Sequence, residues 1–197
     1  MKNEQIMGKV VLDISMSLDG FITGRNDSQE QPLGEGGMRL HDWTSNTSED
    51  LMQGGTSATI AAIVSGRRTY DLVNGWGGNH PIHGVPVFVL SHGVPEPEDV
   101  PKGVTPFTFV TDGIESAITQ AKSAAGDKNI YVVGGANVAQ QCISAGLLDE
   151  IRLHLVPILL GDGIRLFDHI GTKQIELEST RVIESPGVTH LWFRVPK

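Results

Sequence analysis

Apolar and polar positions alternate from Lys9 to Ser17. Leu12, Ile14 and Met16 fall on one face and Asp13, Ser15 and Ser17 on the other, the two-residue period of a strand with one face that tolerates polar groups. Four short apolar runs follow, Ala61 to Val64, Val87 to Leu90, Phe107 to Val110 and Ile130 to Val133, and these read as buried strands. Alternation returns from Glu150 to Val156. Ile175 to Ile183 and Val188 to Val195 then predict two strands joined by Glu184-Ser185-Pro186-Gly187, an antiparallel closing hairpin. Between these runs lie helical segments: one opened by Ser65-Gly66-Arg67-Arg68, one over Asp112 to Ala125 with Asp112 as N-cap and Gly126 as stop, and one over about Asn137 to Ala145. About eight strands and four helices result, alternating through the middle of the chain. The pattern predicts an α/β fold with a mostly parallel sheet and an antiparallel edge.

The Pro-rich stretch Val94 to Pro106 is the one candidate boundary, but each half would have too few strands to close its own core, so residues 1–197 are expected to form a single domain. The net charge of -8 carries no concentrated basic patch, which argues against a nucleic-acid partner and against an anionic membrane surface. A single cysteine, Cys142, excludes an intrachain disulfide, no apolar run is long enough for a bilayer, and no signal segment opens the chain. A cytoplasmic address is the expectation.

Candidate chemistry gathers at strand ends. Gly134-Gly135 sits between the apolar run and a helix start, where backbone can approach a ligand closely and unpaired N–H groups meet the positive end of the helix dipole. Such a start suits a phosphate, although most glycine pairs of this kind are simply tight turns. Arg67 and Arg68 open another helix against its dipole, which is locally unfavourable unless an anion sits there; two solvated surface arginines are the plain alternative. Ser91 and His92 follow the strand ending at Leu90 and offer a hydroxyl and an imidazole at the sheet edge where open α/β sheets bind ligands. In the long, turn-rich loop from Arg25 to about Thr47, Leu40 and Trp43 flank Asp42 and could press its carboxyl into a pocket with a raised pKa; a solvated helix cap carries equal weight. Asp13, on the polar face of the first strand, is the competing carboxylate.

The segments MSLDGFITG (16–24), IVSGRRTYDL (63–72), VFVLSH (87–92) and YVVGGANVAQQCISAGLLDEIRLHLVPILLGDG (131–163) occur in an order that resembles the dihydrofolate reductase superfamily. The likeness is greatest to the reductase domain at the C-terminal end of the bifunctional riboflavin-biosynthesis deaminase-reductase and its stand-alone bacterial relatives. It implies a dihydrofolate-reductase-like three-layer sandwich and an NADPH-dependent reductase. By the same resemblance Gly134 and Gly135 lie beside the cofactor. Ala136, Asn137, Val138 and Ala139, with Gln141 in the same helix, form the start under the pyrophosphate. Gly66, Arg67, Arg68 and Thr69 form the second phosphate-binding start, and Leu90, Ser91 and His92 the strand end near the 2′-phosphate. Ser15, Ile22 and Gly24 line the nicotinamide. Either Asp42 or Asp13 is the implied catalytic carboxylate.

Two departures matter. No H-x-E with a downstream P-C-x-x-C is present, so the zinc deaminase half is absent. The glutamate that the riboflavin enzyme places just before its glycine turn is Val133 here, which cannot hydrogen-bond a pyrimidine. The expected activity is hydride transfer from NADPH to a small heterocycle of pterin or pyrimidine type. The alternative is a non-catalytic nucleotide-binding or regulatory protein that keeps the cofactor cleft. His80-x-x-His83 sits in a Pro/Gly loop without ligand spacing, so no metal is expected. His154 reads as a solvent-face or interface residue, and Cys142 as packed and inert. The resemblance also implies a homodimer, with the closing hairpin and the Glu150 to Val156 strand as its surface.

Overall fold

The opening alternation becomes β1 (Val10–Ser17), a central strand of an eight-stranded sheet ordered β5-β4-β3-β6-β1-β7-β10-β9. The computed structural model describes residues 8–46 and 59–197; the expected loop's last residue, Thr47, lies outside them. The other strands of the sheet are β3 (Ile60–Gly66), β4 (Val87–Leu90), β5 (Phe107–Val110), β6 (Asn129–Val132), β7 (Glu150–Val156), β9 (Glu178–Ser185) and β10 (Val188–Arg194). Every pairing is parallel except β7 with β10 and β10 with β9. Two short strands, β2 (Phe21–Thr23) and β8 (Ile164–Arg165), pair as a separate antiparallel ribbon. Three α-helices occur among the described residues, α1 (Arg67–Leu72), α2 (Ile114–Ala125) and α3 (Ala136–Ser144), where the sequence suggested about four.

Register decides which side chains share a face. On one face Leu12, Val132, Val64, Phe88 and Ile151 pack under Ala117 and Ala121 of α2 and Val138, Ala139 and Cys142 of α3. Small residues let these helices approach the sheet closely, and each fully buried aliphatic side chain adds about 1.5–3 kcal/mol. Burial pushes the Cys142 thiol up to about 12, and Glu115 adds to the effect, so the thiol stays protonated. The opposite face is divided. Over β3, β4 and β5 it is apolar, with Ile63, Val87 and Val89 covered by Tyr70 of α1. Over β1, β7 and β10 it carries Asp13, Ser15, Arg152, His154 and His190. There the 3-10 segment Gly37–Asn46 docks through Leu40, fully buried against Val156 and Val188. The result is a three-layer α/β sandwich.

Two expectations change. α2 is capped by Gly113 at φ 104 rather than by Asp112, because the chain turns through a conformation that only glycine adopts freely, and no side-chain cap is made. β7 is enclosed between β1 and β10, so it has no free edge for a second copy; only β9 lies at that end of the sheet. The stretch from Val94 to Pro106 separates no sheets, since β4 and β5 pair across it.

His80 is buried in the loop between α1 and β4. Its Nδ1 accepts the Ile82 N–H (3.0 Å), and its ring meets Trp76 edge-on at 4.6 Å. Burial lowers its pKa from 6.5 to about 4, with His83 acting in the same direction. A histidine depressed in the folded state contributes stability above its unfolded value of 6.5, and this is lost as pH falls towards about 4. Urea unfolding at pH 7 and pH 4.5 checks this. The difference in midpoint is expected to shrink in His80→Asn, which keeps an acceptor for Ile82.

Candidate functional site

The C-terminal ends of β1, β3, β4 and β6 open on a cleft of about 1370 Å³. At one end two turns meet. Gly134 and Gly135 have φ of 71° and 94°. A Cβ on Gly134 would sit 2.6 Å from Thr69 Cγ2 and 3.1 Å from Ser65 Oγ, while one on Gly66 would sit 3.1 Å from Val138 Cγ2. The Gly66 N–H donates to the Gly134 carbonyl at 3.4 Å. The starts of α1 and α3 are thus held together by positions without side chains. Gly135 caps α3 without a side-chain bond, and the first bond within that helix runs from the Ala139 N–H to the Gly135 carbonyl (3.4 Å). The N–H groups of Ala136, Asn137 and Val138 therefore belong to the unpaired first turn beside the cleft.

The two arginines are balanced by carboxylates of the chain itself. Arg67 Nε donates to Asp71 (2.7 Å) one turn along α1, and its Nη1 donates to Ser91 Oγ and the Gly93 carbonyl (3.3 Å each). Arg68 holds Asp27 through two hydrogen bonds of 3.0 and 2.6 Å, tying the loop after β2 to the start of α1. Their placement against the dipole therefore has a local cause besides any ligand. Leu90, Ser91, His92 and Gln141 line the cleft beside them.

At the far end the polar rows of the sheet form the floor. Ser15, His154 and His190 are register partners across β1, β7 and β10, and Asp13, Arg152 and Trp192 form the next row. His154 Nε2 lies 3.1 Å from Asp13 Oδ1, and its Nδ1 lies 2.7 Å from His190 Nδ1. Trp43 packs against both imidazoles, tilted to His154 at 4.5 Å and edge-on to His190 at 5.0 Å, and its Nε1 donates to Ser15 Oγ (3.1 Å) and to the Leu40 carbonyl (2.9 Å). Arg152 lies between Trp192 and Tyr131, donating to the Tyr131 hydroxyl and pairing with Glu150, which Lys9 also holds at 2.9 Å. Burial pushes the Tyr131 phenol up, and Asp13 pushes it the same way, so it stays neutral. Burial raises the Glu150 pKa, but Arg152 and Lys9 outweigh that and leave it lowered. His41 and His190 are both lowered, first by burial and then by the charge of His154.

The expected residues separate into those that face the cleft and those that do not. Ser15, Ile22, Asp13, Thr69 and the residues of both helix starts face the cleft, apart from Ala139 and Gly24. Ala139 points into the α2–α3 core. Gly24 is packed against the Glu35 backbone, where a Cβ would lie 2.0 Å from the Glu35 carbonyl oxygen, so it shapes the loop rather than the wall. Asp42 is exposed and takes no part in the lining, because the segment turns Leu40, His41 and Trp43 inward and leaves Asp42 outside. His154 is not a solvent-face residue. It is on the polar face as its alternation implies, but the Gly37–Asn46 segment covers that face and makes it the cleft floor. His190, Arg152, Tyr131 and Trp192 were not singled out in the sequence. For Arg152, His190 and Trp192 the signal was the alternation of β7 and β10, legible only once those strands are known to pair with each other and with β1; Tyr131 lies in the apolar run of β6, which gave none.

These three layers and the cleft at their strand ends define a dihydrofolate-reductase-like fold. Dihydrofolate reductase from Enterococcus faecalis, complexed with NADP(H) and RAB-propyl, superposes with a TM-score of 0.61 at 12% identity, over 98% of this chain and 99% of that one. More narrowly, residues 8–190 match the RibD C-terminal domain, and the chain belongs to that family of reductase domains. A protein from Shewanella sp. PV-4 classed with riboflavin biosynthesis superposes with a TM-score of 0.72 at 24% identity, covering 96% of this chain and 99% of that one. In sequence, the uncharacterized protein YyaP of Bacillus subtilis (strain 168) is 27% identical over 210 aligned positions, 98% of both chains.

Proposed function

We propose that this chain is an NADPH-dependent reductase acting on a small planar heterocycle of pterin or pyrimidine type. The observation that carries the reading is the abutment of the two glycine-led helix starts, with a Cβ on Gly134 only 2.6 Å from Thr69. The residues present fit a dinucleotide. Backbone N–H groups of α3 can hold the pyrophosphate without obstruction, Arg67 with Ser91 can hold the 2′-phosphate, and the Ser15 and Ile22 walls can flank the nicotinamide. Thr23 Oγ1, buried at the same wall with no partner, is a polar atom awaiting one. The bound cofactor would supply a hydride.

The chain's own residues supply recognition. Of the two carboxylates lining the cleft, Asp27 is held by Arg68, and Asp13 accepts hydrogen bonds from ring N–H or amino groups. Trp43 and Trp192 give flat apolar walls to a planar ring. Val133 stands in the wall without a polar atom, so recognition rests on the Asp13 side of the cleft. Family membership and the names of the structural neighbours support the same class.

The test is NADPH consumption followed at its absorbance band with dihydrofolate, a dihydropterin and a diaminopyrimidine as acceptors. Binding of NADPH without turnover on any of them would favour a nucleotide-binding regulator. Arg67→Ala is expected to weaken NADPH about 10- to 100-fold and NADH by less than about threefold, a single charge-assisted phosphate contact being worth roughly 1.5–3 kcal/mol. Equal weakening of both would remove Arg67 from the phosphate site.

A further inference from the structure

Beyond cofactor binding, the floor of the cleft contains an arrangement whose chemistry is specific. His154 uses both ring nitrogens, Nε2 towards Asp13 at the open cleft and Nδ1 towards His190 behind it. His190 is 2% exposed, and its Nε2 is buried with no hydrogen-bond partner. Two imidazole nitrogens 2.7 Å apart must share one proton, so their tautomers are coupled.

We infer that His154 is the proton donor of this reductase, delivering its Nε2 proton to the heteroatom end of the reduced bond, and that His190 is the positioning residue that fixes its ring. The inference rests on the reading of the cleft as a hydride-transfer site. In the protonated state His154 donates Nε2–H to the Asp13 carboxylate and Nδ1–H to the lone pair of His190 Nδ1. His190 then carries its proton on Nε2. A bound reduced nicotinamide would supply the hydride to the acceptor carbon; as the C=N π pair moves onto nitrogen, that nitrogen takes the Nε2 proton of His154. The products are oxidised nicotinamide, the reduced ring and a neutral His154 that still donates Nδ1–H to His190. A bare Nε2 lone pair facing a carboxylate is unfavourable, so His154 recovers its proton from water in the open cleft.

The charges around it agree. Asp13 from β1 faces His154 Nε2 at 3.1 Å, and His41 of the 3-10 segment feels the charges of both His154 and Asp42. Arg152 lies on the same strand but is engaged by Glu150 and Tyr131. His190 and His41 are both lowered, by burial first and by His154 second.

Two measurements test this. In cofactor-free protein with ¹⁵N-labelled histidine, long-range ¹H–¹⁵N spectra should show the His154 Nδ1 protonated both below and above its titration, with only Nε2 titrating. The titration should move down by about one pH unit or more in Asp13→Asn. A His154 Nδ1 that is unprotonated in the neutral form overturns the assignment, whatever becomes of NADPH binding. With an acceptor that wild-type protein reduces, His154→Gln should lower kcat roughly 100-fold, leave the KM for NADPH unchanged and abolish the fall in kcat as pH rises. His190→Leu should also lower kcat and displace that fall, while His190→Asn, whose side-chain oxygen can accept the Nδ1 proton, should restore most of it. Unchanged kcat and pH profile in His154→Gln overturns the inference and leaves the reductase reading standing. Failure of NADPH to bind wild-type protein overturns the reductase reading, and the spectra then judge the histidine geometry alone.

Discussion

Gly134→Ala is expected to abolish measurable NADPH binding, a loss of about 100-fold or more, while the protein still folds. The residue has φ 71°, and an alanine there accepts a left-handed backbone at a cost of roughly 1–2 kcal/mol. Its Cβ would meet Thr69 Cγ2 at 2.6 Å and Ser65 Oγ at 3.1 Å. Thr69 can turn its methyl away, but only by rotating its side chain at the junction of the two helix starts. A cofactor lying across both starts needs them in register to well under 1 Å, which is why a small separation costs so much. The strain should lower Tm by roughly 3–8 °C for a chain of this size. Gly171→Ala is the control. It has φ 84° with open space around its Cβ, so it should lower Tm and leave NADPH affinity intact. Isothermal titration of both variants decides. Unchanged affinity in Gly134→Ala would remove the junction from the cofactor site.

Asp13→Asn is the second large effect. The substitution keeps the shape and removes the charge that faces His154 Nε2 at 3.1 Å and the open cleft. Turnover, as kcat/KM for the heterocycle, should fall by about 10²–10³, the range usual for loss of a positioned acid-base partner. NADPH affinity should stay within about twofold, since Asp13 lies at the end of the cleft away from Gly134. Asp42→Asn should change neither quantity, because that carboxylate is exposed and outside the lining. Steady-state kinetics on the two variants separate the carboxylates directly. A large effect at Asp42 with none at Asp13 would reverse the assignment.

Local signals were strong where the chemistry is local. The glycine pair before α3, Gly66 with its arginines before α1 and the buried runs of β3, β4, β5 and β6 are each set by a few neighbouring residues, so the α/β class and the cofactor end were legible. Helix limits were good to a residue or two. The exception is Gly113, where backbone conformation rather than a capping side chain decides the start of α2. Asp42 shows the weakness of local reasoning. Leu40 and Trp43 do press into the interior, and for that reason Asp42 turns out.

The order of apolar and polar residues determined by itself which segments are strands, which face of each is polar and where backbone can approach a ligand, because these depend on periodicity and on the absence of side chains. It could not determine which polar faces stand side by side. That Asp13 of β1, His154 of β7 and His190 of β10 form one connected group was decided by strand pairing between segments more than 30 residues apart and by a 3-10 segment folding over them. Pairing partners are chosen by the packing of the whole sheet, and no local pattern encodes that choice.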